Sequence, residues 1–150
     1  MSKRTLYHHF AGKDELVAAY LAGFADDPSF APMAILARPD LAPRARLLEV
    51  FAALAEDRRP LRGDPFINAA VEAADPGARA HRLAAEHKRR FTERLAGLAR
   101  AAGARDPERI AHRLTLLYDG AAAQVVVQDS ADPAAEAQAM AAALLREALD

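Results

Sequence analysis

Apolar residues recur along most of this chain at intervals of three and four, the spacing of one face of an α-helix. Leu16, Val17, Tyr20, Leu21 and Phe24 predict a helix over 13–25, which Asp27-Pro28 ends. Pro32 and Pro39 leave room only for a short helical piece near Met33–Ala37. Pro43 suits a first turn, and Leu47, Leu48, Phe51, Leu54 and Ala55 form the inner stripe of a helix to about Asp57. Asp64-Pro65 opens the next helix, with Asp64 as its cap. Leu83, His87, Phe91, Leu95, Leu98 and Ala102 predict a long helix over 78–101, and Gly103 ends it. Asp106-Pro107 starts another, reaching about Gln128, with Ile110, Leu114, Leu117, Tyr118, Ala121 and Val125 on one stripe. Ala122, Ala123, Val126 and Val127 make much of its remaining surface apolar, so it needs more than one partner. Asp132-Pro133 opens the last helix, with Ala137, Met140, Ala141, Leu144, Leu145 and Ala148 inward. Alanine is abundant and β-branched residues are sparse, so the class is all-α.

The opening stretch has a different pattern. Ser2 is a good N-cap, and Leu6, His9 and Phe10 share one side of a short helix. Lys3, Arg4, Thr5, Tyr7 and His8 are left mostly outside. Ala11-Gly12 breaks this helix, Gly12 having access to backbone shapes other residues avoid, and a new helix begins at Lys13. Asp14 and Glu15 then complement its positive end. An outward face of Lys, Arg, Thr, Tyr and His suits DNA: the cations reach phosphates or guanine edges, and the hydroxyls bond phosphates or bases. A solvated basic face on an amphipathic helix is the plainer alternative.

Charge and composition narrow the choice of partner. Twenty Lys and Arg against 21 Asp and Glu give a net charge of −1, so any DNA contact rests on a local patch. The 150 residues suit one domain burying roughly 70% of its unfolded surface. Cysteine is absent, which excludes disulfides and thiolate metal sites. No apolar run reaches the about 18 residues of a membrane span, and no secretory signal is visible. A cytoplasmic location with no membrane partner follows as the expectation. No Gly-x-Ser-x-Gly, P-loop, dinucleotide fingerprint or His-Glu-x-x-His pair occurs, so neither an enzyme, a cofactor nor a metal site is expected.

The segment Thr5-Leu6-Tyr7-His8-His9-Phe10-Ala11-Gly12-Lys13-Asp14-Glu15-Leu16 resembles the recognition helix and following helix of the TetR family of bacterial transcriptional regulators. More weakly, Gly63-Asp64-Pro65-Phe66-Ile67-Asn68-Ala69 is similar to a Gly-Cys-Pro-Phe-x-Asn-Ala stretch beside the ligand cavity in one subgroup. Asp64 here replaces the Cys, so a thiol role at that point is excluded. Asp119-Gly120-Ala121 also looks like the family's carboxyl-terminal region. The resemblance implies a TetR-like helical bundle: a DNA-binding head over 1–25 and an effector-binding, dimerising body over 26–150. It implies phosphate contacts for Tyr7 and Lys13, and places Ser2, Lys3, Arg4, Thr5 and His8 in or beside the major groove. In the family two further helices precede the recognition helix, and none stands before Ser2 in this sequence. With Met1 at a position where the family commonly has Val, a longer native chain is the expectation. Residues 1–11 should then be loosely docked, and DNA binding by the sequence as it stands weak.

The expected function is a one-component regulator, a repressor in sense, binding operator DNA where those preceding helices are present. Phe66, Asn68, His87, Phe91 and Tyr118 are the candidate lining of a small-molecule effector pocket, mostly apolar with a few orienting polar groups. His87 has a plainer reading as a hydrogen-bonded core histidine, and Asn68 with Glu72 as the surface of a capped helix. Leu117, Ala121, Val125, Ala141, Leu144 and Leu145 are the candidate homodimer interface, a four-helix bundle made by two copies of the last two helices. The alternatives are a dimerising interaction module without DNA binding of its own, and a helical-bundle enzyme.

Overall fold

The computed structural model describes residues 10–26, 31–56 and 63–149. Among these, seven helices and no strand occur: α1 (Lys13–Asp26), α2 (Ala31–Ala37), α3 (Pro43–Glu56), α4 (Pro65–Ala73), α5 (Arg79–Ala101), α6 (Pro107–Gln128) and α7 (Asp132–Leu149). The expected helix over residues 2–10 lies outside the described residues, apart from the half-buried Phe10. No described helix is long and apolar enough to cross a membrane.

The chain divides into two compact units, and the division falls within α5. One unit holds α1, α4 and α5 as far as Arg89. The other holds α2, α3, α5 from Arg90, α6 and α7. The expected head helix, α1, therefore shares a unit with two segments of the expected body.

The second unit carries the larger core. Leu47, Val50, Phe51 and Leu54 from α3 meet Phe91, Leu95 and Ala99 from α5, Ile110, Leu114, Tyr118 and Val125 from α6, and Ala137, Ala141 and Leu145 from α7. Val50, absent from the predicted α3 stripe, is fully buried, and Leu48 and Ala55 are only partly so. The alanines on α7 let it lie close to its neighbours, while each buried Leu or Phe contributes roughly 1.5–3 kcal/mol. The Tyr118 ring stands edge-on to Phe51, with centroids 5.8 Å apart, and tilts against Phe91 at 5.3 Å. Thr115 donates to the Ala111 carbonyl at 2.9 Å, so the 2.9 Å contact between its hydroxyl and that of Thr92 is donated by Thr92.

The helix ends follow the sequence. α5 closes with a Schellman turn: Ala104 N donates to Ala99 O and Gly103 N to Arg100 O, both at 3.0 Å, with Gly103 at φ +92°. Asp106 caps α6, its carboxylate accepting from Arg109 N at 3.2 Å, with Pro107 in the first turn.

Candidate functional site

α1 begins where the sequence breaks at Gly12. Leu16 N donates to Gly12 O, and the Glu15 carboxylate reaches back to accept from Ala11 N at 2.6 Å. This is the backward half of a capping box, shifted by one residue. Gly12 lies outside the left-handed region, so the break does not use glycine's special freedom. Of the predicted α1 stripe, Leu21 is buried, together with Ala18. Leu16, Val17 and Phe24 are half-buried, while Tyr20 is 58% exposed. Tyr20 instead packs edge-on to Phe24 along the helix, with centroids 4.9 Å apart.

Two adjacent residues of the first turn reach other helices. The Lys13 ammonium pairs with Glu72 near the end of α4 at 3.1 Å, both side chains remaining exposed. The Asp14 carboxylate accepts from Arg79 N at 3.1 Å and from Ala80 N at 3.0 Å, the first two amides of α5. Asp14 thus complements the positive end of α5, a role beyond the local one expected of it. Between α4 and α5 the chain turns tightly. Ala74 sits in the left-handed region at φ 55°, and Asp75 closes the turn, its side chain accepting from Gly77 N at 2.8 Å and its carbonyl from Ala78 N at 2.9 Å. A left-handed alanine costs about 1–2 kcal/mol, which these surrounding bonds offset.

α4 is held on α5 by aromatic and histidine contacts. The rings of Phe66 and His87 stack with centroids 3.6 Å apart and planes 3° from parallel. His81 Nδ1 lies 3.4 Å from the Ala70 carbonyl and donates to it in the Nδ1–H tautomer. Phe66 and His87 are both buried, along with Ala69, Ala80 and Ala84. Among the described residues, no buried side-chain nitrogen or oxygen lacks a partner.

The five expected effector residues are therefore distributed. Phe66 and His87 are brought together in the first unit, where Asn68 points to the exposed side of α4. Phe91 and Tyr118 touch each other in the second. Of the expected DNA contacts, Lys13 is exposed, and Ser2, Lys3, Arg4, Thr5, Tyr7 and His8 lie outside the described residues.

The residues of the expected dimer interface are mostly covered by the chain itself. Ala121, Val125, Ala141 and Leu145 are buried in the chain's own core, and Leu117 and Leu144 are half-buried against it. The α6 stripe pointed inward because α3, α5 and α7 cover it. The free face is the opposite one: Leu116 (74% exposed), Gly120, Ala123 and Val127 (80%), at i, i+4, i+7 and i+11. On α7, Met140 is half-exposed rather than inward, beside exposed Ala139 and Ala143. The apolar breadth of α6 signalled that two faces exist, without saying which the chain itself would cover. The cap made by Asp14 left no sequence signal beyond the alanine at position 78, a poor N-cap.

No protein-family profile matches the chain, and no curated protein does. Solved structures match the chain, two of them along essentially its whole length. One is from Streptomyces avermitilis and is assigned as a TetR transcriptional regulator, at 29% identity and a TM-score of 0.83, with 99% of this chain and 81% of that one covered. The other is a TetR-family transcriptional regulator from Streptomyces coelicolor, at 27% identity and a TM-score of 0.87, with 100% and 80% covered. With the signature at residues 5–16 and this likeness along its length, the chain is similar to TetR-family transcriptional regulators and shares their helical fold.

Proposed function

We propose that the protein is a one-component, small-molecule-controlled regulator of transcription, a repressor acting as a homodimer in the cytoplasm. Operator DNA is read by Ser2, Lys3, Arg4, Thr5, Tyr7, His8 and Lys13. The observation that carries the reading is the position of α1. The helix that follows the DNA-reading motif is tied by Lys13 and Asp14 to α4 and α5, the two helices that carry Phe66 and His87. An effector that engages Phe66, His87 or Asn68 acts one helix away from the DNA-reading segment. Phe91 and Tyr118 remain candidates in their own unit.

Association of two copies uses the exposed strip of α6, Leu116, Gly120, Ala123 and Val127, with Ala139, Met140 and Ala143 of α7. That strip also supports the second reading, a dimerising interaction module without DNA binding, because association through it needs nothing from residues 2–13.

Fluorescence anisotropy with the DNA flanking the protein's own gene separates the two. Salt-dependent binding reversed by a compound that also raises the melting temperature supports the regulator. Dimers that show no affinity for any such fragment leave the interaction module.

A further inference from the structure

A helix presents its first amides without intrahelical partners, and an N-cap side chain normally accepts from one of them. α5 starts at Arg79 after Ala78, whose methyl group accepts nothing. The acceptor comes from 65 residues earlier, as Asp14 takes the Arg79 amide on Oδ2 and the Ala80 amide on Oδ1. A carboxylate on two amides at a helix N-terminus is a charge-assisted contact strengthened by the helix dipole. Lys13, its neighbour, pairs with Glu72 on the other side of the same corner. The corner is itself internally bonded through Asp75, with Ala74 held left-handed. The start of α1 is therefore joined to the end of α4 and the start of α5 by directional polar contacts.

We infer that Asp14 is the positioning residue that makes the first turns of α1 and α5 move as one piece. A displacement of the α4–α5 corner is then passed to α1 and to the segment that runs into it. This rests on the regulator reading above for its consequence at DNA, but the mechanical coupling stands or falls by itself.

Hydrogen exchange on the whole chain tests the coupling. Asp14→Ala should speed exchange of the first amides of both α1 and α5 by about fivefold, the loss of one helix cap. Arg79→Pro deletes one donor at a position where proline is well tolerated, and should speed exchange in α1 although the change lies in α5. Glu15→Ala, at the neighbouring acid whose carboxylate accepts from Ala11 N, should leave α5 unchanged. Unaltered α1 exchange in Arg79→Pro overturns the proposal, and that variant decides the matter if Asp14→Ala does not fold. A second arm uses random-sequence duplex DNA. Removing a negative charge beside the DNA-reading segment tightens binding on electrostatic grounds alone. The coupling predicts the reverse, several-fold weaker binding by Asp14→Ala, and tighter binding would overturn transmission to the DNA-reading segment. A wild-type chain with no DNA affinity would sink the regulator reading while the exchange arm still decides the coupling.

Discussion

The imidazole of His87 lies flat on the ring of Phe66, with centroids 3.6 Å apart and planes within 3° of parallel. α4 has only nine residues, too few to hold a helix in water without tertiary contacts. Phe66, 1% exposed, is the largest of those contacts. Phe66→Ala should cost about 3–5 kcal/mol and release α4, measured by denaturant unfolding and by hydrogen exchange of residues 65–73. His87→Phe keeps a flat ring against Phe66 but gives up the polar partner of the buried imidazole, so it should cost about 1–3 kcal/mol while the chain stays folded. If an effector uses the imidazole, that variant should lose compound-induced stabilisation while remaining folded. A Phe66→Ala loss below about 1 kcal/mol would show that the stack does not secure α4.

Association should depend on Leu116 and Val127, not on the inward stripe. Leu116→Arg or Val127→Arg places a charge on an exposed face, so each should yield a folded monomer with unchanged circular dichroism. Ala141→Arg or Leu145→Arg forces a cation into a fully buried position and should unfold the chain instead. Light scattering beside circular dichroism separates the two outcomes. A Leu116→Arg, Val127→Arg double variant that stays dimeric would move the interface elsewhere.

The helices were legible because proline, aspartate and glycine punctuate this chain at their ends. Asp106-Pro107, Gly103 and Pro43 each lie at a helix boundary where local chemistry alone decides. Which side of a helix faces inward was less legible, since it depends on neighbours. Val125 and Leu116 are both apolar residues of α6, and only the positions of α3 and α7 decide that one is buried and the other exposed. Within the candidate site, the family motif marked Lys13, and apolar spacing marked Phe66 and His87. The bonds from Asp14 to Arg79 and Ala80 join positions far apart in sequence, and no periodicity encodes such a contact.

The α5–α6 junction gives a direct test of helix-end chemistry. Gly103, at φ +92°, has open space for a Cβ, so Gly103→Ala pays only for its backbone conformation. A loss of about 1–2 kcal/mol is expected from thermal or denaturant unfolding. Asp106→Ala removes the acceptor for Arg109 N and should cost about 1 kcal/mol, with Asp106→Asn restoring most of it. The residues share one turn, so the double variant is expected to deviate from additivity.

Arg38 and Asp40 form a two-pronged pair at the end of α2, at 3.2 and 2.6 Å. The hydrogen bonds from Arg38, followed by a backbone hydrogen bond, hold the Asp40 carboxyl below the usual carboxylate value. A carboxyl with a lowered folded-state pKa adds stability above its unfolded pKa, and that share is lost as pH falls through the folded value. The pair is solvent-exposed, so its effect on stability should be small. Carbon-detected NMR titration should find Asp40 protonating at lower pH than exposed aspartates elsewhere in the chain. Arg38→Ala should return it to their range, and an unchanged midpoint would mean that the pair does not persist in solution.

Lys13 and Glu72 set up a competition that DNA binding should expose. Their pair is solvent-exposed on both sides, and such pairs contribute about 0–1 kcal/mol, so Lys13→Ala should barely change stability. If Lys13 meets a phosphate, it must leave Glu72 or share it, and the nearby carboxylate opposes the approach of DNA. Lys13→Ala should therefore weaken binding at all sequences alike and lower the salt dependence by the equivalent of about one phosphate contact. Glu72→Gln removes the competing charge and should tighten binding, with the salt dependence kept or increased. The double variant should behave as Lys13→Ala alone, because without the ammonium the carboxylate has little left to compete for. Anisotropy titrations of the four proteins across a salt series measure all of this. If Glu72→Gln tightens binding equally with and without Lys13, Glu72 acts only through the general field, and the exchange of partners at Lys13 does not occur.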